Sequence, residues 1–89
     1  MFEWDDGKRL TNLGKHRLDF IDCVQLFDGR ARVDVPARTE TEARTLTIGE
    51  IDGKIYTVVW TWRSPARRII SFRRARRDEE DDYYALFDR

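Results

Sequence analysis

The run Arg44-Thr45-Leu46-Thr47-Ile48-Gly49-Glu50-Ile51-Asp52-Gly53-Lys54-Ile55-Tyr56-Thr57-Val58-Val59-Trp60-Thr61-Trp62 decides the fold. Two β-rich arms, Arg44 to Ile51 and Lys54 to Trp62, flank Asp52-Gly53. Both residues of that pair tolerate positive φ, which the tight two-residue turn of a hairpin requires. In the second arm Tyr56, Val58, Trp60 and Trp62 alternate with Ile55, Thr57, Val59 and Thr61, the period of side chains on opposite sheet faces. The hairpin is therefore expected to found an antiparallel sheet.

Upstream, Ala31, Val33 and Val35 alternate with Arg30, Arg32 and Asp34, which predicts a half-buried strand ended by Pro36. The threonine-rich stretch from Pro36 to Ala43 reads as a mobile loop. Downstream, a turn around Ser64-Pro65 leads into a last strand, Arg68 to Arg74. Simple alternation puts Arg68, Ile70, Phe72 and Arg74 on one of its faces and Ile69, Ser71 and Arg73 on the other. Arg76 to Phe87 reads as a closing helix whose early acids suit the helix dipole, with Tyr84 and Phe87 as anchors.

Toward the N-terminus, Asp5 or Asp6 caps a helix running to His16, with Leu10 and Leu13 sharing a thin apolar face. A second helix is capped by Asp19, with Asp22 in capping-box position and Leu18 stapled onto Cys23. Phe20, Cys23, Val24 and Phe27 follow a helical repeat toward the core, and Gly29 is a left-handed stop. The expected class is α+β: two N-terminal helices, a meander of about four antiparallel strands, and a C-terminal helix. Phe2-Glu3-Trp4 is an option for a short extra strand.

The chain has 89 residues, enough for one domain over 1–89, and a chain this short buries about 60 to 65 per cent of its unfolded surface. With 40% hydrophobic and 38% charged residues it has apolar material for one core and a heavily charged exterior. Cys23 is the single cysteine, which excludes an internal disulfide and a cysteine-based zinc site. A buried thiol in a reduced, intracellular setting is the simple expectation. The opening Met1-Phe2-Glu3-Trp4-Asp5-Asp6 is acidic where a secretory signal is basic and then apolar, and no apolar run reaches spanning length. A cytoplasmic location, away from membranes, is expected.

A net charge of zero conceals segregated signs. Arg63, Arg67, Arg68, Arg73, Arg74, Arg76 and Arg77 fall within one stretch that holds no acid, and Asp78-Glu79-Glu80-Asp81-Asp82 follows at once. This pattern suggests a cationic surface for an anionic partner, with an acidic element that either solvates a helix or competes for that surface. Arginines interleaved with aromatics and a hydroxyl suit the phosphates and splayed bases of single-stranded RNA. The alternative is a solvated edge strand whose charges block aggregation. Trp60 and Trp62 are expected in the core.

His16, the sole histidine, is either a cation at a helix end or the acid or base that phosphodiester cleavage needs near neutral pH. Lys15 and the arginines would stabilise transition-state charge. The base is open between His16, a carboxylate such as Glu50, and a lysine. No glycine-rich phosphate loop, metal-ligand spacing or nucleophile backed by histidine and acid is present, so neither metal nor cofactor is expected.

Taken in order, Phe2-Glu3-Trp4-Asp5, Asn12-Leu13, Lys15-His16, Phe27-Asp28, Arg44, Ile48-Gly49, Val58-Val59, Thr61, Arg63, Arg68-Ile69-Ile70-Ser71, Arg73 and Ala75 resemble the BrnT family of type II toxins. The resemblance implies a RelE-like ribonuclease fold and metal-free RNA cleavage that inhibits translation and growth. The family's basic and polar site positions match Lys15, His16, Arg44, Arg63, Arg68, Ser71 and Arg73; among them and their neighbours we assign catalysis to Lys15, His16, Arg63, Arg68, Ser71 and Arg73, and RNA binding to Arg44, Arg67 and Arg74. It further implies a BrnA-like ribbon-helix-helix antitoxin, through which the complex binds its promoter DNA. The sequence departs from the family with Arg17 where a glycine often follows Lys-His, and with acids in the closing helix. The competing expectations are a non-catalytic module that binds nucleic acid or protein, and a structural subunit pairing its basic strand with a partner's edge.

Overall fold

A computed structural model describes residues 1–37 and 41–87 of the chain. The architecture is α+β. In chain order it comprises β1 (Phe2–Glu3), α1 (Asp6–His16), α2 (Phe20–Cys23), a 3₁₀ turn (Val24–Phe27), β2 (Arg32–Ala37), β3 (Arg44–Ile51), β4 (Lys54–Arg63), β5 (Ala66–Arg74) and α3 (Arg77–Leu86). The strands form one sheet in the order β1-β5-β4-β3-β2. All neighbours are antiparallel except β1, which runs parallel to β5 and makes the optional N-terminal strand a fifth member.

The expected hairpin is present. Ile51 pairs Lys54 across the turn, and Asp52 (φ 50°) and Gly53 (φ 82°) both sit at positive φ. That backbone matches the twist of the flanking strands, which is why Asp-Gly stands there. β2 runs through Pro36 to Ala37 instead of stopping at the proline, and Ala31 lies outside it, exposed. β2 is an edge strand, so the missing N–H of Pro36 costs no ladder bond. Of the loop expected between Pro36 and Ala43, residues 38–40 lie outside the described residues.

Two clusters fill the sheet's two faces. On one, Phe20, Cys23 and Leu26 pack on Ile51, Val58, Trp60, Ile69 and Phe72. Those first three recur every third residue, the period of the 3₁₀ turn that replaces the second half of the expected helix. This tighter winding buries Leu26 and leaves Val24 only half-buried. On the opposite face Tyr83 of α3 packs with Val33, Ile48 and Ile55. Tyr83 and Phe87 anchor α3, and Tyr84 is exposed, so the helix lies rotated from the expected phase. Cys23 is wholly buried, and burial pushes its thiol up to about 12.

The largest departure is in β5. Val59 pairs Ser71 but Trp60 pairs Ile69, so Ile70 is an extra residue, a β-bulge. Alternation therefore reverses there, and Ile69 and Phe72 both enter the same cluster. The correction to the faces follows from the pairing: Arg68, Ser71 and Arg73 sit opposite Thr61, Val59 and Thr57 on one face, with Arg67 and Arg74 opposite Trp62 and Tyr56 on the other.

Candidate active site at the α1–β5 edge

Asp5 caps α1 by accepting from the Lys8 N–H at 2.9 Å, and the helix ends at Arg17 in the left-handed region (φ 58°). A position of that geometry favours glycine, and an arginine there is strained. The helix does not bury leucines. Leu10 and Leu13 are exposed, at 67% and 39%, and the buried residue of α1 is Asn12.

Asn12 performs the job of a missing strand. Its Nδ2 donates to the Phe72 carbonyl at 2.8 Å and to the Leu18 carbonyl at 3.0 Å, and its Oδ1 accepts from the Phe72 N–H at 3.0 Å. One amide thus satisfies both backbone groups of Phe72 on the open edge of β5 beyond β1, and docks α1 against the bulge. Arg9 adds a bidentate bond to the α2 cap Asp19, at 2.8 and 2.9 Å.

Docking leaves a cleft of about 240 Å³ between helix and strand, lined by Lys8, Thr11, Asn12, Lys15, His16, Ile70 and Ser71. Five of these follow the spacing i, i+3, i+4, i+7, i+8 on α1, one helical face. That stripe is polar, so no apolar periodicity in the sequence marks Lys8 or Thr11. The His16 pKa lies below its ordinary 6.5, first because burial disfavours the imidazolium and then because Lys15 and Arg73 are near. A neutral imidazole at neutral pH is ready to accept a proton.

Of the expected catalytic residues, the structure brings Lys15, His16 and Ser71 into this cleft, with Arg73 close enough to act on His16. Arg73 is held by Glu79 through bonds of 2.7 and 2.9 Å. Glu79 also accepts from the Thr57 hydroxyl at 3.0 Å and the Arg76 N–H at 2.8 Å. Burial alone would raise the Glu79 pKa, but these donors outweigh it and pull it to about 2. Arg68 pairs with Glu3 at 2.9 Å, and Arg44 and Arg63 share Glu42 at 3.1 and 3.7 Å.

The remaining two are directed elsewhere. Arg67 stacks between Phe27 and Trp60, with ring centroids 4.1 and 4.3 Å away, and Arg74 lies over Tyr56 at 5.4 Å. The arginine run therefore does not converge on one pocket. Glu50 sits on β3 opposite Ile55 and does not line the cleft. Trp60 is core and donates to the Thr47 hydroxyl at 2.7 Å, whereas Trp62 is 57% exposed at the strand's end. Among the described residues no three His, Cys, Asp or Glu side chains gather as a metal-holding group, and no helix is long and apolar enough to cross a membrane.

An α+β fold whose first helix and bulged strand enclose ammonium, imidazole and hydroxyl groups defines a small protein with a phosphate-compatible cleft. The family model described as "Ribonuclease toxin, BrnT, of type II toxin-antitoxin system" matches residues 4–79, and the chain belongs to that family. It is thus a ribonuclease toxin of a type II toxin-antitoxin system, with RNA as substrate and an antitoxin as partner. No curated protein matches the chain.

Proposed function

We propose that the chain, acting as one domain, is a metal-independent endoribonuclease whose chemistry takes place in the α1–β5 cleft. The observation that carries this reading is the placement of His16, with its lowered pKa, beside Lys15 and Ser71. His16 takes the proton of the substrate's 2′-hydroxyl, whose oxygen attacks the adjacent phosphorus. The P–O5′ bond breaks, leaving a 2′,3′-cyclic phosphate; the departing 5′ oxygen takes a proton from solvent water, and the His16 imidazolium returns its proton to solvent. Lys15 stabilises the phosphorane charge and Ser71 hydrogen-bonds a phosphate oxygen. Arg73 raises the local potential, and Arg68 and Arg63, at the same end of the sheet, guide the flanking strand. Arg44, Arg67 and Arg74 are outlying RNA contacts.

Cleavage inhibits translation and growth in the cytoplasm until a BrnA-like ribbon-helix-helix antitoxin binds, and that complex occupies its promoter DNA through the antitoxin.

RNA incubated with purified protein and excess chelator should be cut to cyclic-phosphate ends. His16→Ala should lower the rate by about 10² to 10⁴, the usual contribution of a positioned base. The acid limb of the rate profile should lie below pH 6.5, because the imidazole must be neutral to act and its pKa is depressed. Unchanged cleavage in both His16→Ala and Arg68→Ala would falsify the assignment, and intact RNA despite binding would favour a non-catalytic module.

A further inference from the structure

Positive charge already paired with an acid contributes less to binding a phosphate than charge that has no acid partner. Arg44, Arg63, Arg68 and Arg73 each pair with Glu42, Glu3 or Glu79. Among the described residues no carboxylate forms an ion pair with Lys8 or Lys15, and both are exposed on the cleft-lining stripe of α1. The unpaired positive charge of the cleft therefore lies on α1 and not on the arginine-rich β5.

Lys8 and Lys15 are two turns apart, about 10 Å along the axis at 1.5 Å per residue. A stacked strand advances about 3.4 Å per nucleotide, so this separation spans about three steps. Thr11, itself exposed, stands between them on the same stripe. Asp5 holds the Lys8 backbone N–H, which fixes the first turn and leaves the ammonium free to point into the cleft. We propose that Lys8 forms a phosphate subsite upstream or downstream of the cleaved bond, so that single-stranded RNA lies along α1 with Lys15 and His16 at the reacting phosphate and Lys8 at a flanking one. This rests on the cleft being the nuclease site.

The test is binding of a single-stranded oligonucleotide blocked against cleavage by 2′-O-methylation, measured by anisotropy across a salt series. Lys8→Ala should weaken binding about fivefold and lower the slope of log Kd against log salt by about 0.7, the release expected for one single-strand phosphate contact. Lys54→Ala, an exposed hairpin lysine, should change neither. In cleavage assays Lys8→Ala should raise KM for long RNA and leave kcat intact, and should not affect a dinucleotide carrying one phosphate. An unchanged salt slope, or an equal loss on the dinucleotide, overturns the subsite. A wild-type protein that binds the oligonucleotide with the expected Lys8 effect and cleaves no RNA overturns the nuclease reading alone.

Discussion

Asn12 shows how one side chain takes over a structural role that sequence patterns assign to apolar residues. It is 6% exposed and satisfies both backbone groups of Phe72 together with the Leu18 carbonyl. Asn12→Ala should cost about 3 kcal/mol in urea unfolding, because it strands buried donors and acceptors and leaves a void. Loss of less than about 1 kcal/mol would show that water replaces the amide. Arg17 carries the opposite prediction. A non-glycine residue in the left-handed region is strained by about 1 to 2 kcal/mol, partly offset by glycine's greater entropy when unfolded. Arg17→Gly should therefore raise stability by about 0.5 to 1 kcal/mol, visible as a Tm higher by a few degrees. A lower Tm would mean that the Arg17 side chain has a stabilising contact.

At the scale of elements, β5 and α3 determine which cations meet. The bulge at Ile70 reverses the faces, so Ser71 and Arg73 share a face with Arg68. A sequence records hydrophobic alternation but not an inserted ladder residue, and Arg68-Ile69-Ile70-Ser71-Phe72 offers no glycine or proline to mark one. In α3, Glu79 closes on Arg73, Thr57 and the Arg76 N–H, tying the helix to β4 and β5. The acidic run thus competes for the basic surface at one residue and leaves Asp78, Asp81 and Asp82 exposed. The sign of its pH effect is set by a depressed carboxyl pKa: the stabilisation is fully present above the unfolded value of 4.5 and is lost as pH falls toward about 2. Its size is on the order of 3 kcal/mol at 1.36 kcal/mol per pKa unit. Glu79→Gln should flatten the acid limb of the stability curve, read by circular dichroism from pH 5 to 2. An identical limb in the variant would place the linkage elsewhere.

For the whole molecule, the sequence alone determined the class, the central hairpin and the family. Asp52-Gly53 between alternating arms needs no distant contact to be read, since turn chemistry and strand period are local. His16, Lys15 and Ser71 were legible as candidates, while Lys8 was not, because its significance lies in sharing a helical face with residues that dock on β5. Tertiary structure decided what the charges do. Whether an arginine is free, stacked between Phe27 and Trp60, or neutralised by Glu3 or Glu79 depends on partners far apart in the chain. Proximity in sequence does not confer proximity in space once a bulge and a pleat intervene. Local order follows from short-range sterics and hydrogen bonding, whereas the electrostatic character of the cleft arises from long-range packing that brings oppositely charged groups together.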